Sequence, residues 1–291
     1  MAHITRVDIS MIELKPKVER KDAIQSFIAQ ETPIVTIYDS DGVIGTGYSY
    51  TIGTGGHSII ALLERSLAPL LIGRDPDCIE QIWRDLLFST HATSVGAITS
   101  LAIAAIDIAL WDLRCKKMDL PLWKLAGGFK DRIPLYTTEG GWLHLETSAL
   151  VDDAQAMQEK GFKGSKIKIG KEHISQDDAR LGAVRAAVGD GYEIMTDGNQ
   201  GFTLSEAIRR ARMLETHGVS WFEEPMPADD LTAHVELSRH SSVPIAVGES
   251  LYSLSQFKDY LQMGAASIVQ VDVVRIGGIT PWLKVAHMAE A

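Results

Sequence analysis

A chain of 291 residues, 45% hydrophobic and 23% charged, has an ordinary globular composition with ample material for a core. Its net charge of −10, with no basic run or stripe, argues against a nucleic-acid footprint, and no apolar run approaches membrane-spanning length. Cys78 and Cys115, far apart and in unlike contexts, read as structural thiols of a reducing compartment; with no apolar signal core at the N-terminus, the expectation is a soluble, cytoplasmic protein.

Residues 3–14 and 34–50 alternate polar with β-branched and aromatic side chains, and Asp39-Ser40-Asp41-Gly42 supplies a hairpin turn. A glycine-rich loop at 53–56 precedes helical periodicity at 57–71, 78–88 and 96–117. Strands followed by helices predict an α+β capping domain over residues 1–127, closed by the stretch from Leu120 to Gly128.

A different rhythm fills 128–291. Short apolar runs recur at 133–138, 165–169, 193–197, 220–223, 245–248 and 268–272. Amphipathic helices separate them at 148–160, 176–188, 204–216, 231–238 and 254–263, and a last one begins near Pro281. Uniformly apolar strands alternating with helices mean buried parallel strands. The expected class is α/β, a TIM-type (β/α)8 barrel that is incomplete here, with about six of its eight units. An open doubly wound sheet would gather polar residues at one switch point, whereas here they end successive strands all around.

Those strand ends carry the chemistry. Lys166 and Lys168 end the second run, Asp197 and Asn199 the third, Glu223 the fourth, Glu249 the fifth and Asp272 the sixth. Carboxylates on three neighbouring strands repel in a low-dielectric mouth. Either a cation sits among them, for which hard oxygens suit Mg²⁺, or they cap the barrel with structural salt bridges. Two lysines at i and i+2 share a strand face. Each should lower the other's pKa and make a neutral amine available as a base; the alternative is pairing with acids on the next strand. Asp272 reads as a ligand, a structural acid or the partner of a histidine base. Asn199 reads as a substrate hydrogen-bonder or a turn cap.

Lys166-Ile167-Lys168, Asp197-Gly198-Asn199, Trp221-Phe222-Glu223-Glu224-Pro225, Gly248-Glu249-Ser250 and Asp272 followed by Gly277-Gly278-Ile279-Thr280 together resemble the mandelate racemase subgroup of the enolase superfamily. Residues 105–112 and Leu120-Pro121-Leu122 look like that family's link between cap and barrel. The resemblance implies Mg²⁺ held by Asp197, Glu223 and Glu249. It implies abstraction of the proton α to a substrate carboxylate, with the metal stabilising the enediolate. Lys168 would be the base, Lys166 would bind the carboxylate, and Asp272 would orient a histidine on a seventh strand. Asp272 in place of a lysine, and Glu249 in place of an asparagine, favour this subgroup over its neighbours.

Within the subgroup, acid-sugar dehydration is the expected reaction, and the segment from Gly140 to His144 is similar to galactarate/talarate-type dehydratases. Racemisation of a 2-hydroxy acid, a Schiff-base aldolase using Lys168 and a non-catalytic binding protein are the alternatives. Lys15, in a basic segment at 15–27, and the loop at 53–56 are expected to close over the mouth and set substrate choice. The expected partner is a small carboxylic acid, in a homo-oligomer, with neither nucleic acid nor membrane. The histidine-bearing strand would fall beyond Ala291, so an incomplete chain, or a catalytically incomplete fragment, is also expected.

Overall fold

The computed structural model describes residues 2–94 and 96–291; Met1 and Val95, inside the expected capping domain, lie outside the described residues. Strands β1 (Ile4–Leu14), β2 (Gln30–Asp39) and β3 (Ile44–Tyr48) form an antiparallel sheet in sequence order. The turn expected after Asp39 forms because its Oδ1 accepts from the N–H groups of Asp41 at 3.0 Å and Val43 at 2.8 Å, with Gly42 at φ 82. Helix α1 (Gly56–Leu62) runs on through a π-helical turn at Leu63–Leu67 and a 3-10 turn at Ala68–Leu70. Helices α2 (Ile79–Ser89) and α3 (Ala97–Met118) complete the cap, and the short α4 (Leu122–Leu125) follows.

Helix α3 lies directly on β3. A side chain at Gly45 or Gly47 would overlap the carbonyls of Ala109 and Ala105. The alanines of α3 and the glycines of β3 therefore permit one close contact from both sides. Val35, Ile37, Ile59, Leu63 and Ile106, all fully buried, fill the space between sheet and helices.

Six parallel strands follow in sequence order: β4 (Tyr136–Thr137), β5 (Gly164–Lys168), β6 (Glu193–Asp197), β7 (Phe222–Glu223), β8 (Ile245–Val247) and β9 (Ile268–Val269). They curl into a half-barrel whose outer face is covered by α5 (Thr147–Glu159), α6 (Ile174–Val188), α7 (Leu204–Thr216), α8 (Leu231–His240) and α9 (Leu254–Gln262). Helix α10 (Ile279–Glu290) begins two residues before Pro281. The outward side chains Ile167, Ile169, Ile194, Phe222 and Ile245 pack under the helices, as the apolar runs require.

Both edge strands are shorter than the apolar runs suggest. Ile133 and Leu135 are exposed, so the first run contributes only two paired residues. The sixth ends early because Asp272 turns the chain, its Oδ1 accepting from Val274 N at 2.7 Å and Arg275 N at 3.2 Å. No described helix is long and apolar enough to cross a membrane.

Cap and half-barrel are joined by a buried carboxylate. Asp107 of α3, 1% exposed, accepts from Thr280 N at 3.0 Å and so caps the start of α10. Trp111, one turn on, donates to Thr280 Oγ1 at 2.9 Å. Gly278, at φ 117, leaves room for the carboxylate. Burial pushes Asp107 up to about 7, although hydrogen bonds from Thr280 and Ile279 pull the other way.

An acid whose folded pKa is raised contributes stability that is full below its unfolded pKa, about 4, and is lost as pH rises through about 7. Denaturation midpoints should therefore fall across that window, and Asp107→Asn should flatten the slope. An unchanged slope in urea titrations at pH 4 to 8 would contradict the assignment.

Candidate metal and acid/base site

The strand register brings the predicted residues together. In the parallel ladder Lys168 is level with Asp197, and Asp197 with Glu223. With Lys166, they make four side chains that point into the mouth, where water is largely excluded: Lys166 is 8% exposed, Lys168 7%, Asp197 0% and Glu223 2%. Buried charges of this kind must pair, and they do. Lys168 Nζ lies 2.6 Å from Asp197 Oδ2, and Lys166 Nζ lies 3.1 Å from the same oxygen and 2.6 Å from Glu223 Oε1.

This pairing corrects one expectation. Lys166 is not driven toward a neutral amine by its neighbour. Burial does act to lower its pKa, but Asp197 and Glu223 outweigh it and raise the pKa above the ordinary value. The carboxylates respond in turn. Burial alone would raise Asp197, but Lys166 and Lys168 hold it below the usual carboxylate range. Glu223 is pushed up to about 7 by burial and by the charge of Asp197, with Glu249 adding to the repulsion.

The three acids do not stand in one register. Glu223 is level with Ala246, so Glu249 lies three residues farther on, past the end of β8 and only partly buried. Gly248 permits this: at φ 155 it passes so close to Gln270 that a Cβ would overlap the Gln270 carbonyl.

Among the described residues no three His, Cys, Asp or Glu side chains already stand in a metal-binding arrangement, and Lys166 and Lys168 lie against the Asp197 and Glu223 oxygens. The donor set nevertheless fits a divalent cation. Two ammonium groups pair with two carboxylates while Glu249 repels Glu223 from beside them, all the donors are hard oxygens, and the repulsion that raises Glu223 is what a cation relieves.

The remaining predicted residues divide. Asn199 is 5% exposed and sits at φ 42. Its N–H donates to Asp197 Oδ1 at 2.9 Å, the turn-capping role, while its own buried Oδ1 has no partner among the described residues. His144 lies in the loop before α5 with a buried, unpartnered Nδ1. Lys15 is exposed just after β1 and takes no part in the carboxylate cluster. Asp272 accepts from Tyr50 Oη of the cap at 2.8 Å and lies 4.0 Å from Arg275 Nε; none of its partners is a histidine among the described residues.

Sequence reasoning passed over several participants. Gln270 Nε2 donates to Glu223 Oε2 at 2.9 Å, and Trp221 Nε1 does so at 3.3 Å. Glu224, 1% exposed at φ 38, is pushed up to about 8 by burial first and then by Glu249. Asn199, Gln200 and Glu224 all adopt left-handed backbone, a strain that gathers at working sites. The missed signal was position: Gln270 follows β9 directly, at the level where the other strands deliver their polar residues.

Residues 8–127 match the model of the mandelate racemase/muconate lactonizing enzyme N-terminal domain, and residues 149–291 that of the enolase C-terminal domain-like family. The chain is 38% identical over 258 residues to the 3,6-anhydro-alpha-L-galactonate cycloisomerase of Streptomyces coelicolor, covering 88% of this chain and 71% of that protein. It is 37% identical over 256 residues to the L-talarate/galactarate dehydratase of Salmonella typhimurium, covering 88% of this chain and 64% of that protein. In structure it superposes on the L-talarate dehydratase of Polaromonas sp. JS666, complexed with Mg and L-glucarate. The TM-score is 0.94 at 35% identity, covering 100% of this chain and 79% of that one.

Proposed function

Because the chain belongs to the mandelate racemase/muconate lactonizing enzyme family of the enolase superfamily, we propose that it removes the proton α to the carboxylate of a sugar acid, with Mg²⁺ as cofactor, and that β-hydroxyl loss follows. The observation that carries this reading is the buried chain of contacts Lys168–Asp197–Lys166–Glu223 at the strand ends. It sets an amine beside a carboxylate cluster inside one water-poor pocket. The dehydratase relatives support the choice of a hydroxylated acid.

In this reading Asp197, Glu223 and Glu249 hold Mg²⁺, which supplies positive charge to the substrate carboxylate as its α-proton leaves. Lys168 takes that proton on Nζ. The C–H electron pair moves toward the carboxylate and then forms the C=C bond as the β-hydroxyl departs as water, taking the proton that Lys168 had accepted and giving a 2-keto-3-deoxy acid after tautomerisation. Lys166 binds the substrate carboxylate. Asn199 and His144, each with a buried unpartnered acceptor or ring nitrogen, hydrogen-bond the hydroxyls. Lys15 belongs to the segment closing over the mouth, and Asp272, held by Tyr50 and Arg275, is the acid that would orient a histidine serving the opposite face. The residue boundary near 127, read from the change of rhythm there, and the cytoplasmic location, read from the two thiols, belong to the same reading, and the homo-oligomer rests on the family resemblance.

Incubation with a panel of aldonic and aldaric acids in D₂O tests the proposal. A 2-keto-3-deoxy product that disappears with EDTA is the expected result. Deuterium at the α-carbon without water loss would replace dehydration by racemisation or cycloisomerisation. Turnover that survives EDTA would sink the metal.

A further inference from the structure

Behind the end of β5 lies a second buried charge cluster that the reaction does not touch. Asp177 (0% exposed), Arg180 (4%) and Arg210 (2%) come from α6 and α7. Asp177 Oδ2 accepts from Gly170 N at 2.8 Å and Lys171 N at 3.1 Å, and Asp177 pairs with both arginines. Arg210 also donates to Lys171 O at 2.9 Å and pairs with Glu206. The turn that leaves β5 is thereby held from both sides.

Arg180 does something more specific. Its Nη1 donates to Lys168 O at 3.1 Å and its Nη2 to Trp142 O at 3.2 Å. Those carbonyls belong to different β/α units, one on the strand end and one on the loop after β4. Trp142, 7% exposed, places its ring 5.4 Å from Lys168 Nζ, within cation–π range. The loop is pressed against β5 as well: Lys168 N donates to Gly141 O at 2.7 Å, and a side chain at Gly141 would overlap the Lys166 carbonyl. One guanidinium thus holds the backbone of the lysine and the backbone of the indole lying against its ammonium.

We propose that Arg180 and Trp142 are positioning residues for Lys168: the two donors of Arg180 fix the spacing between the two backbones, and the indole confines the lysine head to one direction. A four-carbon stem has many rotamers, and misplacing a reacting group by an ångström costs on the order of 10²-fold in rate. The planar fork of arginine reaches two carbonyls at once; a lysine at this position reaches one. The inference rests on Lys168 being the base.

The test uses the full chain labelled with 5-fluorotryptophan. Of its 6 tryptophans, the one at 142 is assigned by the resonance lost in Trp142→Phe. Arg180→Met keeps Asp177 paired with Arg210, so no buried charge is stranded. It should shift the Trp142 resonance and lower kcat for α-deuteration about 10²-fold, with KM and Mg²⁺ affinity unchanged. Arg180→Lys should recover part of that loss. Trp142→Leu should also act on kcat, and Trp142→Phe should retain more than Trp142→Leu.

An unmoved resonance in Arg180→Met, or a change confined to Tm with kcat intact, overturns the proposal. If the unsubstituted chain deuterates no acid at all, the reading of Lys168 as base falls instead. The resonance then decides by itself whether Arg180 positions Trp142.

Discussion

Lys168→Ala is expected to lower α-proton exchange from one stereochemical face by about 10²–10⁴-fold, the range associated with a positioned general base, while Mg²⁺ binding persists. The two lysines differ in a way that makes this a clean substitution. Among the described residues Lys168 pairs with Asp197 alone, and Asp197 keeps Lys166 at 3.1 Å when Lys168 is removed. No buried carboxylate is left without a cation, so the fold and the donor set should survive. Lys166 instead bridges Asp197 and Glu223, and its loss leaves Glu223, among the described residues, with only the neutral donors of Gln270 and Trp221. Lys166→Ala should therefore raise KM and lower Tm as well as slowing turnover. The measurement is deuterium incorporation by NMR, resolved by face, with calorimetric titration of Mg²⁺ in parallel. Wild-type exchange from the same face in Lys168→Ala would remove Lys168 from the mechanism.

Much of this was legible in the sequence, for a physical reason. In a parallel half-barrel the period of a strand is two residues, so Lys166 and Lys168 had to share a face. The apolar residues between and beyond them, Ile167 and Ile169, had to pack outward, and both are buried under the helices. The carboxylates of Asp197 and Glu223 end adjacent strands, and the ladder sets them level. What stayed hidden depends on distances that no periodicity encodes. The direction of the Lys166 shift is decided by oxygens 2.6 and 3.1 Å away, which overcome its burial. The offset of Glu249 follows from the close passage of Gly248 against Gln270. Arg180 reaches its two carbonyls from a helix, and Asp107 its backbone partner from the cap; both ties join segments remote in sequence.

The displaced position of Glu249 gives the site a test that separates metal binding from folding. Asp197 serves two purposes: it is a proposed ligand, and it is the buried anion for two ammonium groups. Asp197→Asn preserves shape and can still accept from Asn199 N, but it removes the charge both lysines face. Breaking a buried pair by neutralising one partner costs about 3–5 kcal/mol. The variant should therefore lose Mg²⁺ affinity and also unfold at a markedly lower temperature in the absence of metal. Glu249 lies past its strand, only partly buried, and pairs with no lysine among the described residues. Glu249→Gln should weaken Mg²⁺ binding beyond the about 10–100-fold that follows loss of an outer partner. Its metal-free Tm should stay close to that of the unsubstituted chain, and with one less repelling charge Glu223 should ionise more readily. Calorimetry with Mg²⁺ and thermal denaturation in EDTA read the two effects separately. Equal Mg²⁺ affinity in Glu249→Gln and the unsubstituted chain would take Glu249 out of the donor set and leave Asp197 and Glu223 to hold the ion with other oxygens.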